Sequence, residues 1–160
     1  MSLDPTLKDL LRTVEPVEDH PYLNGEQLTA EAYEETDEPL KSLIPHWLVD
    51  VLTTYAVATM IIRFVDESGA ERAFQFASFD DMWDHFFSVL PSKTVCYLGY
   101  IVIAVDPARQ DTPYFVSAAG DCNSPIYQLT DTADADLSVG GHSFVQVAAN
   151  LQQVLERQLR

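Results

Sequence analysis

The sequence predicts an α+β fold in which a mostly antiparallel or mixed β-sheet is flanked by helices. Two observations carry this prediction. Apolar stripes at helical spacing are interspersed with short β-rich segments, and no regular strand–helix–strand repeat runs through the 160 residues. A chain of this length matches the usual size of one domain with its own core, so residues 1–160 are predicted to form a single domain.

Helices are predicted wherever a capping residue precedes an apolar stripe. Asp4 is a favourable N-cap residue, and Pro5 suits the first helical position. Ser78 with Asp81 three residues later resembles a capping box. The predicted helices cover residues 4–15, 45–55, 78–90 and 143–158. The first and the last of them are an N-terminal helix and a closing C-terminal helix.

The strands are predicted from β-rich runs bounded by turn residues. Residues 59–65 and 71–76 are predicted to form a hairpin around the Asp-Glu-Ser-Gly turn at 66–69. In the second of these strands, Arg72, Phe74 and Phe76 share one side, which predicts that one face of the hairpin is covered. Three more strands are predicted at residues 94–105, 114–118 and 126–130.

The segment at residues 17–39 is polar, acidic and without clear periodicity, apart from one short predicted helix at 29–35. We interpret it as a long surface connection, with Asn24-Gly25 as a turn signal.

The charge balance excludes some classes of partner. The chain has 9 Lys and Arg residues against 25 Asp and Glu residues, and its formal net charge is −16. Phosphate backbones require a basic surface, so direct binding of nucleic acid is not expected. Anionic membranes are disfavoured for the same reason. A basic protein partner would be attracted to such a chain, although the acidity also has a simpler explanation in solubility.

The location expected from the sequence is cytoplasmic. The N-terminal residues lack the basic start and apolar run of a secretory signal, and no apolar stretch reaches about 18 residues. The two cysteines, Cys96 and Cys122, are isolated from each other, which predicts reduced thiols and no disulfide framework.

No catalytic motif is found, and the chain is predicted not to be an enzyme. The sequence has no zinc-protease, paired CxxC, nucleophile-elbow or phosphate-loop pattern. Asp81 and His85 lie four residues apart and could supply two metal ligands or an acid–base pair on one helical face. A carboxylate in the first helical turn has a structural explanation, because it interacts favourably with the helix dipole. Cys122 and His142 form a further candidate thiol–imidazole pair, for which a buried thiol is the simpler interpretation.

The alternating carboxylates of the acidic loop after the predicted strand at 126–130 could suggest a calcium site. The loop carries Asp131, Asp134 and Asp136, but it lacks the central Gly and the terminal Glu of an EF-hand loop. We therefore predict no metal and no cofactor, and we interpret this loop as solvated or as part of an acidic docking surface.

The C-terminal part of the chain resembles the SUKH superfamily. The resemblance rests on residues 100–106, 113–116 and 120–121, followed by Pro125-Ile126-Tyr127 and a predicted closing helix that begins at Ser143-Phe144. Residues 45–55 resemble an early helix of that superfamily. The resemblance covers about residues 40–158. The chain departs from it at residues 56–58, where Ala-Val-Ala stands in place of Asn-Gly-Gly.

The resemblance implies an α+β binding scaffold without catalytic residues. The superfamily includes bacterial immunity proteins and Smi/Knr-type regulators of fungal cell-wall synthesis. It therefore implies that the chain neutralises a bacterial toxin domain by direct protein–protein binding, and the acidity favours a basic toxin domain. Two alternatives are a regulatory interaction domain of the same superfamily and an enzyme with an unrecognised site. The residues predicted to contact a partner are Asp80, Asp81, Asp84, Asp121, Asp131, Asp134 and Asp136.

Overall fold

The computed structural model describes residues 3–14, 25–87, 95–96, 98–130, 137–139 and 142–159. Six helices of four residues or more lie in these ranges: α1 (Pro5–Thr13), α2 (Ala30–Glu34), α3 (Leu40–Leu43), α4 (His46–Thr54), α5 (Phe79–Phe87) and α6 (Leu151–Glu156). The strands in the same ranges are β1 (Ile61–Val65), β2 (Glu71–Phe76), β3 (Tyr100–Asp106), β4 (Arg109–Ser117), β5 (Ile126–Thr130), β6 (Leu137–Val139) and β7 (His142–Ala148).

These strands form one sheet in the order β1-β2-β3-β4-β5-β7-β6, and every pair of neighbours is antiparallel. The predicted hairpin is confirmed, since β1 and β2 pair in register from Ile61 opposite Gln75 to Val65 opposite Glu71. Helices precede, interrupt and follow the sheet. The predicted α+β class, with helices at both ends of the chain, is therefore confirmed.

The sheet curls so that its first hairpin meets a strand near its other end. The backbone N–H of Glu67, in the β1–β2 turn, donates to the carbonyl of Val147 in β7 at 3.2 Å. The segment after α6 then runs along β1. Val65 N–H donates to the carbonyl of Arg157 at 3.2 Å, and Leu159 N–H donates to the carbonyl of Arg63 at 2.8 Å. The outer edge of β1 is thereby paired, which protects it from pairing with other chains.

Aromatic side chains fill the inside of this curl. The rings of Phe74 and Tyr114 lie 5.0 Å apart although β3 separates their strands, and Phe64 lies 6.3 Å from Tyr114. Ala104 stands between them on β3, in register with Phe76 on one side and Tyr114 on the other. Its small side chain leaves room for the rings of the neighbouring strands to meet.

The hydroxyl of Tyr114 is bonded inside this aromatic cluster. It donates to the carbonyl of Ala73 at 2.7 Å, and burial raises the pKa of Tyr114, so the group stays protonated at neutral pH.

A Tyr114→Phe variant should lose about 1 kcal/mol of unfolding free energy, because the carbonyl of Ala73 loses a buried donor. Urea unfolding measures this loss. Tyr55→Phe is the control and should change little, since no described group bonds the Tyr55 hydroxyl; equal losses in both variants would contradict the assignment.

A buried polar network joins the first hairpin to β5. Asp66 is only 3% exposed, and its Oδ1 accepts from the N–H of Ser68 at 2.8 Å and of Ala70 at 2.9 Å. Its Oδ2 accepts from Arg72 Nε, and the same guanidinium donates to Gln128 Oε1 on β5. Since β3 and β4 lie between β2 and β5, this link requires the curl and stabilises it.

The helices cover the sheet and complete a continuous apolar core. α6 packs on β1 and β7, α1 packs on α6, and α5 packs on β3. The caps of α1 and α5 were predicted correctly. Asp4 accepts from Thr6 N–H at 2.9 Å, and Ser78 and Asp81 bond each other's backbone N–H groups at 3.1 and 3.0 Å.

The predicted start of the closing helix at Ser143 is wrong. Residues 142–148 form β7, in which Ser143 pairs with Thr130 and Phe144 with Leu129. The helix begins only at Leu151, where Asn150 caps it by accepting from Gln153 N–H at 2.9 Å. The Val145 and Val147 positions favour a strand, and pairing with β5 overrides the helical spacing of the apolar residues. The part of the SUKH resemblance that requires a helix from Ser143 is therefore not present.

The predicted strand at 94–105 also begins too early, because β3 starts at Tyr100. Val95 and Cys96 are buried in a short helical turn, and Gly99 with φ +93° reverses the chain before the strand. β6 and α3 were not predicted. The predicted end of the helix at 78–90 and the turn residue Asn24 lie outside the described residues.

Candidate binding clefts

The first cleft lies between the start of α5 and the segment from residue 26 to residue 37. It has a volume of about 430 Å³. Two backbone connections position its walls: Glu26 pairs with Ala58 through bonds of 2.9 and 3.1 Å, and Leu28 N–H donates to the carbonyl of Leu52 at 2.9 Å. The lining residues are Glu26, Leu28, Ala32, Glu35, Thr36, Asp37, Ser78, Phe79, Asp80 and Trp83. We call this the acidic cleft.

Four carboxylates surround the acidic cleft, and its lining contains no Lys, Arg or His. Glu26, Glu35, Asp37 and Asp80 are all exposed. In the part of the chain that the structure describes, none of their carboxylates forms an ion pair. The cleft therefore has an uncompensated negative charge, which attracts cations.

Aromatic side chains form the apolar part of the acidic cleft. Phe79 is buried, and its ring lies 5.8 Å from Tyr33. Trp83 is half-buried and lies 4.1 Å from the ring of Phe87. A half-buried indole beside carboxylates is a surface on which a guanidinium or ammonium group can stack.

Three of the predicted contact residues lie on α5, but they differ in surroundings. Asp80 lines the acidic cleft. Asp81 caps the helix through the backbone N–H of Ser78, and Asp84 is exposed outside the lining of the cleft. Asp121 lies on the loop after β4, outside the lining of the acidic cleft, and its Oδ1 accepts from Asn123 N–H at 2.9 Å. The predicted residues Asp131, Asp134 and Asp136 lie outside the described residues.

Sequence reasoning missed Glu26, Glu35 and Asp37 as members of the same site as Asp80. The available signal is the acidity of residues 17–39, which by itself predicts only a surface connection. The pairing of Glu26 with Ala58 folds this connection back onto α4 and α5. Nothing in the local sequence predicts that bridge.

A second cleft, also lined by a residue of α2, has a volume of about 560 Å³. α2 contributes to both clefts, since Ala32 lines the acidic cleft and Tyr33 the second one. The wall of the second cleft consists of Tyr33, Lys41, Ser42, Ile44, Pro45, His46, Trp47, Ala118, Ala119, Gly120 and Asp121. Apolar side chains and one lysine are therefore present together in this cleft.

The candidate metal and thiol residues do not assemble into a described site. No group of three His, Cys, Asp or Glu side chains suited to a metal ion occurs among the described residues. His85 is buried, and this burial lowers its pKa against the opposing effect of Asp81 and Asp84. Burial raises the pKa of the Cys96 thiol to about 12, so this thiol is protonated at neutral pH. Cys122 is buried, and the side chain of His142 lies outside the description.

No family model, curated protein or solved structure matches the chain. In the ranges that the structure describes, no helix combines the length and the apolar character needed to cross a membrane.

Proposed function

We propose that this chain is a non-catalytic acidic binding protein that recognises a basic protein partner through the acidic cleft. The observation that carries the proposal is that Glu26, Glu35, Asp37 and Asp80 line the same cleft as Trp83, with no cation in the lining. The net charge of −16 extends the same preference over the whole chain.

Arginine is the side chain that this cleft fits best. A guanidinium can stack on the half-buried Trp83 while it bonds the surrounding carboxylates, and arginine is more weakly hydrated than lysine. Each exposed ion pair contributes at most about 1 kcal/mol. The field of the four carboxylates acts mainly on the association rate, which makes binding sensitive to salt.

The partner that we propose is a basic toxin domain, which the chain would neutralise as an immunity protein. The support is the SUKH resemblance of the segments at β3, β4 and β5, together with the acidity of the chain. A regulatory role in the same superfamily is the alternative. The two roles are distinguished by co-expression with a toxin encoded beside this gene: an immunity protein forms a complex with it and restores growth, whereas a regulator does neither.

The acidic cleft itself can be tested with a fluorescent octa-arginine peptide. We expect the double variant Glu35→Lys, Asp80→Lys to weaken peptide binding by at least tenfold in fluorescence anisotropy at low salt. The reason is that two carboxylates in the lining, which attract the guanidinium groups of the peptide, are replaced by ammonium groups, which repel them. Raising the ionic strength from about 20 to 200 mM should also weaken wild-type binding strongly, because it shortens the screening length.

The matched control is Asp50→Lys, Asp84→Lys, which changes the net charge by the same amount at exposed positions outside the lining of the acidic cleft. We expect it to weaken binding by about threefold or less, through the long-range field alone. Equal losses in the two double variants would refute the cleft as the binding site and leave only a general attraction of the acidic chain for the peptide.

A further inference from the structure

The second cleft contains an unusual buried donor. Trp47 lies in its wall and is only 4% exposed, and no described group accepts a hydrogen bond from its indole Nε1. A buried donor without a partner costs about 1–3 kcal/mol, so most such groups in folded proteins are bonded. An acceptor brought by a ligand would remove this cost.

The start of α4 supplies more donors at the same place. The helix has nine residues, and its N-cap, Pro45, has no side chain that could bond the first turn. The carbonyl of Pro45 accepts from Leu48 and Val49 N–H at 3.0 and 3.1 Å, whereas no described group accepts from the N–H of His46 or Trp47. Free N–H groups at the start of a helix attract anions, and two adjacent ones suit the two oxygens of a carboxylate.

One cationic side chain, Lys41, also belongs to the wall of the cleft. It donates a hydrogen bond of 2.7 Å to the Glu34 carboxylate, which raises the pKa of Lys41, so its ammonium is charged at neutral pH. The exposed His46 stands at the first position of α4. The remaining wall is largely apolar, with Ile44, Pro45, Ala118 and Ala119. Gly120 allows the loop to close tightly, because a Cβ there would lie 1.9 Å from Ser124 Oγ.

We propose that the second cleft binds a small molecule with one carboxylate on an apolar body, and that the carboxylate lies at the start of α4 beside Trp47 and Lys41. A volume of about 560 Å³ lies within the usual range of small-molecule sites. A monoanion fits better than a phosphate dianion, because Glu34 already offsets part of the Lys41 charge and Asp121 adds a carboxylate to the lining of the cleft. This proposal does not depend on partner binding in the acidic cleft.

Phenylacetate is a suitable probe, and the indole N–H signal of Trp47 is the readout. The chain has two tryptophans, so Trp83→Phe leaves Trp47 as the source of the one indole signal in a ¹H–¹⁵N correlation spectrum. We expect this signal to shift saturably with millimolar phenylacetate, because Nε1 gains an acceptor. Phenylacetamide, which has the same body without the charge, should bind at least tenfold more weakly.

The charge requirement is tested by Lys41→Met, which should weaken phenylacetate binding about fivefold to tenfold. Lys8→Met removes the same charge from α1 and should leave the affinity unchanged. Urea unfolding of both variants checks that they are folded. A Trp47 signal that does not move with phenylacetate, or that responds equally to phenylacetamide, would overturn the proposal, as would equal affinities in Lys41→Met and Lys8→Met.

Discussion

An Asp66→Ala variant should lose about 3 kcal/mol of unfolding free energy in urea denaturation. Asp66 is 3% exposed, and its carboxylate accepts from Ser68 Oγ at 2.6 Å, from the N–H groups of Ser68 and Ala70, and from Arg72. Its removal leaves two backbone donors and a partly buried guanidinium without their acceptor, and breaking one side of a buried pair typically costs about 3–5 kcal/mol. We take the lower end because the Arg72 side chain is 25% exposed.

The matched control for this variant is Asp9→Ala. Asp9 also pairs with an arginine, Arg12, at 3.1 Å, but the side chains of Asp9 and Arg12 are 78% and 62% exposed. An exposed pair of this kind contributes about 0.5 kcal/mol or less. A loss in Asp66→Ala that is no larger than the loss in Asp9→Ala would show that the network around Asp66 does not stabilise the fold.

The same carboxylate makes stability depend on pH. Burial would raise the pKa of Asp66, but the hydrogen bonds from Ser68, Arg72 and Ala70 outweigh it and lower the pKa below 3.8. The folded state thus binds this proton more weakly than the unfolded state does. The stabilisation is present in full above about pH 4 and is lost as the pH falls through the lowered pKa. The difference in unfolding free energy between wild type and Asp66→Asn should therefore shrink below pH 4. The other carboxylates contribute equally to the pH dependence of both proteins, so their contributions cancel in this difference.

The sequence was sufficient for the elements whose pattern has one interpretation. The hairpin of β1 and β2 has alternating residues around a Gly turn, and α4 has a helical stripe after Pro45, so both were predicted close to their observed bounds. Residues 143–148 have no such single interpretation. Their apolar positions fit a helix and a strand equally, and the pairing of Phe144 with Leu129 on β5 decides between them.

The candidate sites depended even more on contacts between distant segments. Asp80 was predicted as a contact residue from its helix, but Glu26, which lines the same cleft, is brought there by pairing with Ala58. For Trp47, which lines the second cleft, the sequence pattern predicts only an ordinary core residue on the buried face of α4. That its Nε1 is left without an acceptor depends on what packs around it, and no local pattern indicates this.

Gly25→Ala should lose about 2–4 kcal/mol of unfolding free energy. Gly25 has φ +94°, which strains any residue with a Cβ, and a Cβ there would lie 2.2 Å from the carbonyl oxygen of Ala56. That oxygen belongs to the backbone, so the two segments must move apart, and overpacking of this kind costs about 1–3 kcal/mol beyond the backbone strain. The movement strains the adjoining bridge between Glu26 and Ala58.

The matched control is Gly69→Ala, since Gly69 has a similar φ of +88° but no atom within 4 Å of its Cβ position. It should lose only about 1 kcal/mol, from the backbone strain alone. Because Glu26 and Leu28 follow Gly25 and line the acidic cleft, Gly25→Ala should also weaken octa-arginine binding, whereas Gly69→Ala should not. Equal losses of stability in the two variants would mean that the contact with Ala56 does not constrain this segment. If Gly25→Ala is destabilised but folded and still binds the peptide as the wild type does, peptide binding does not depend on the bridge between Glu26 and Ala58. The binding surface would then lie outside the acidic cleft.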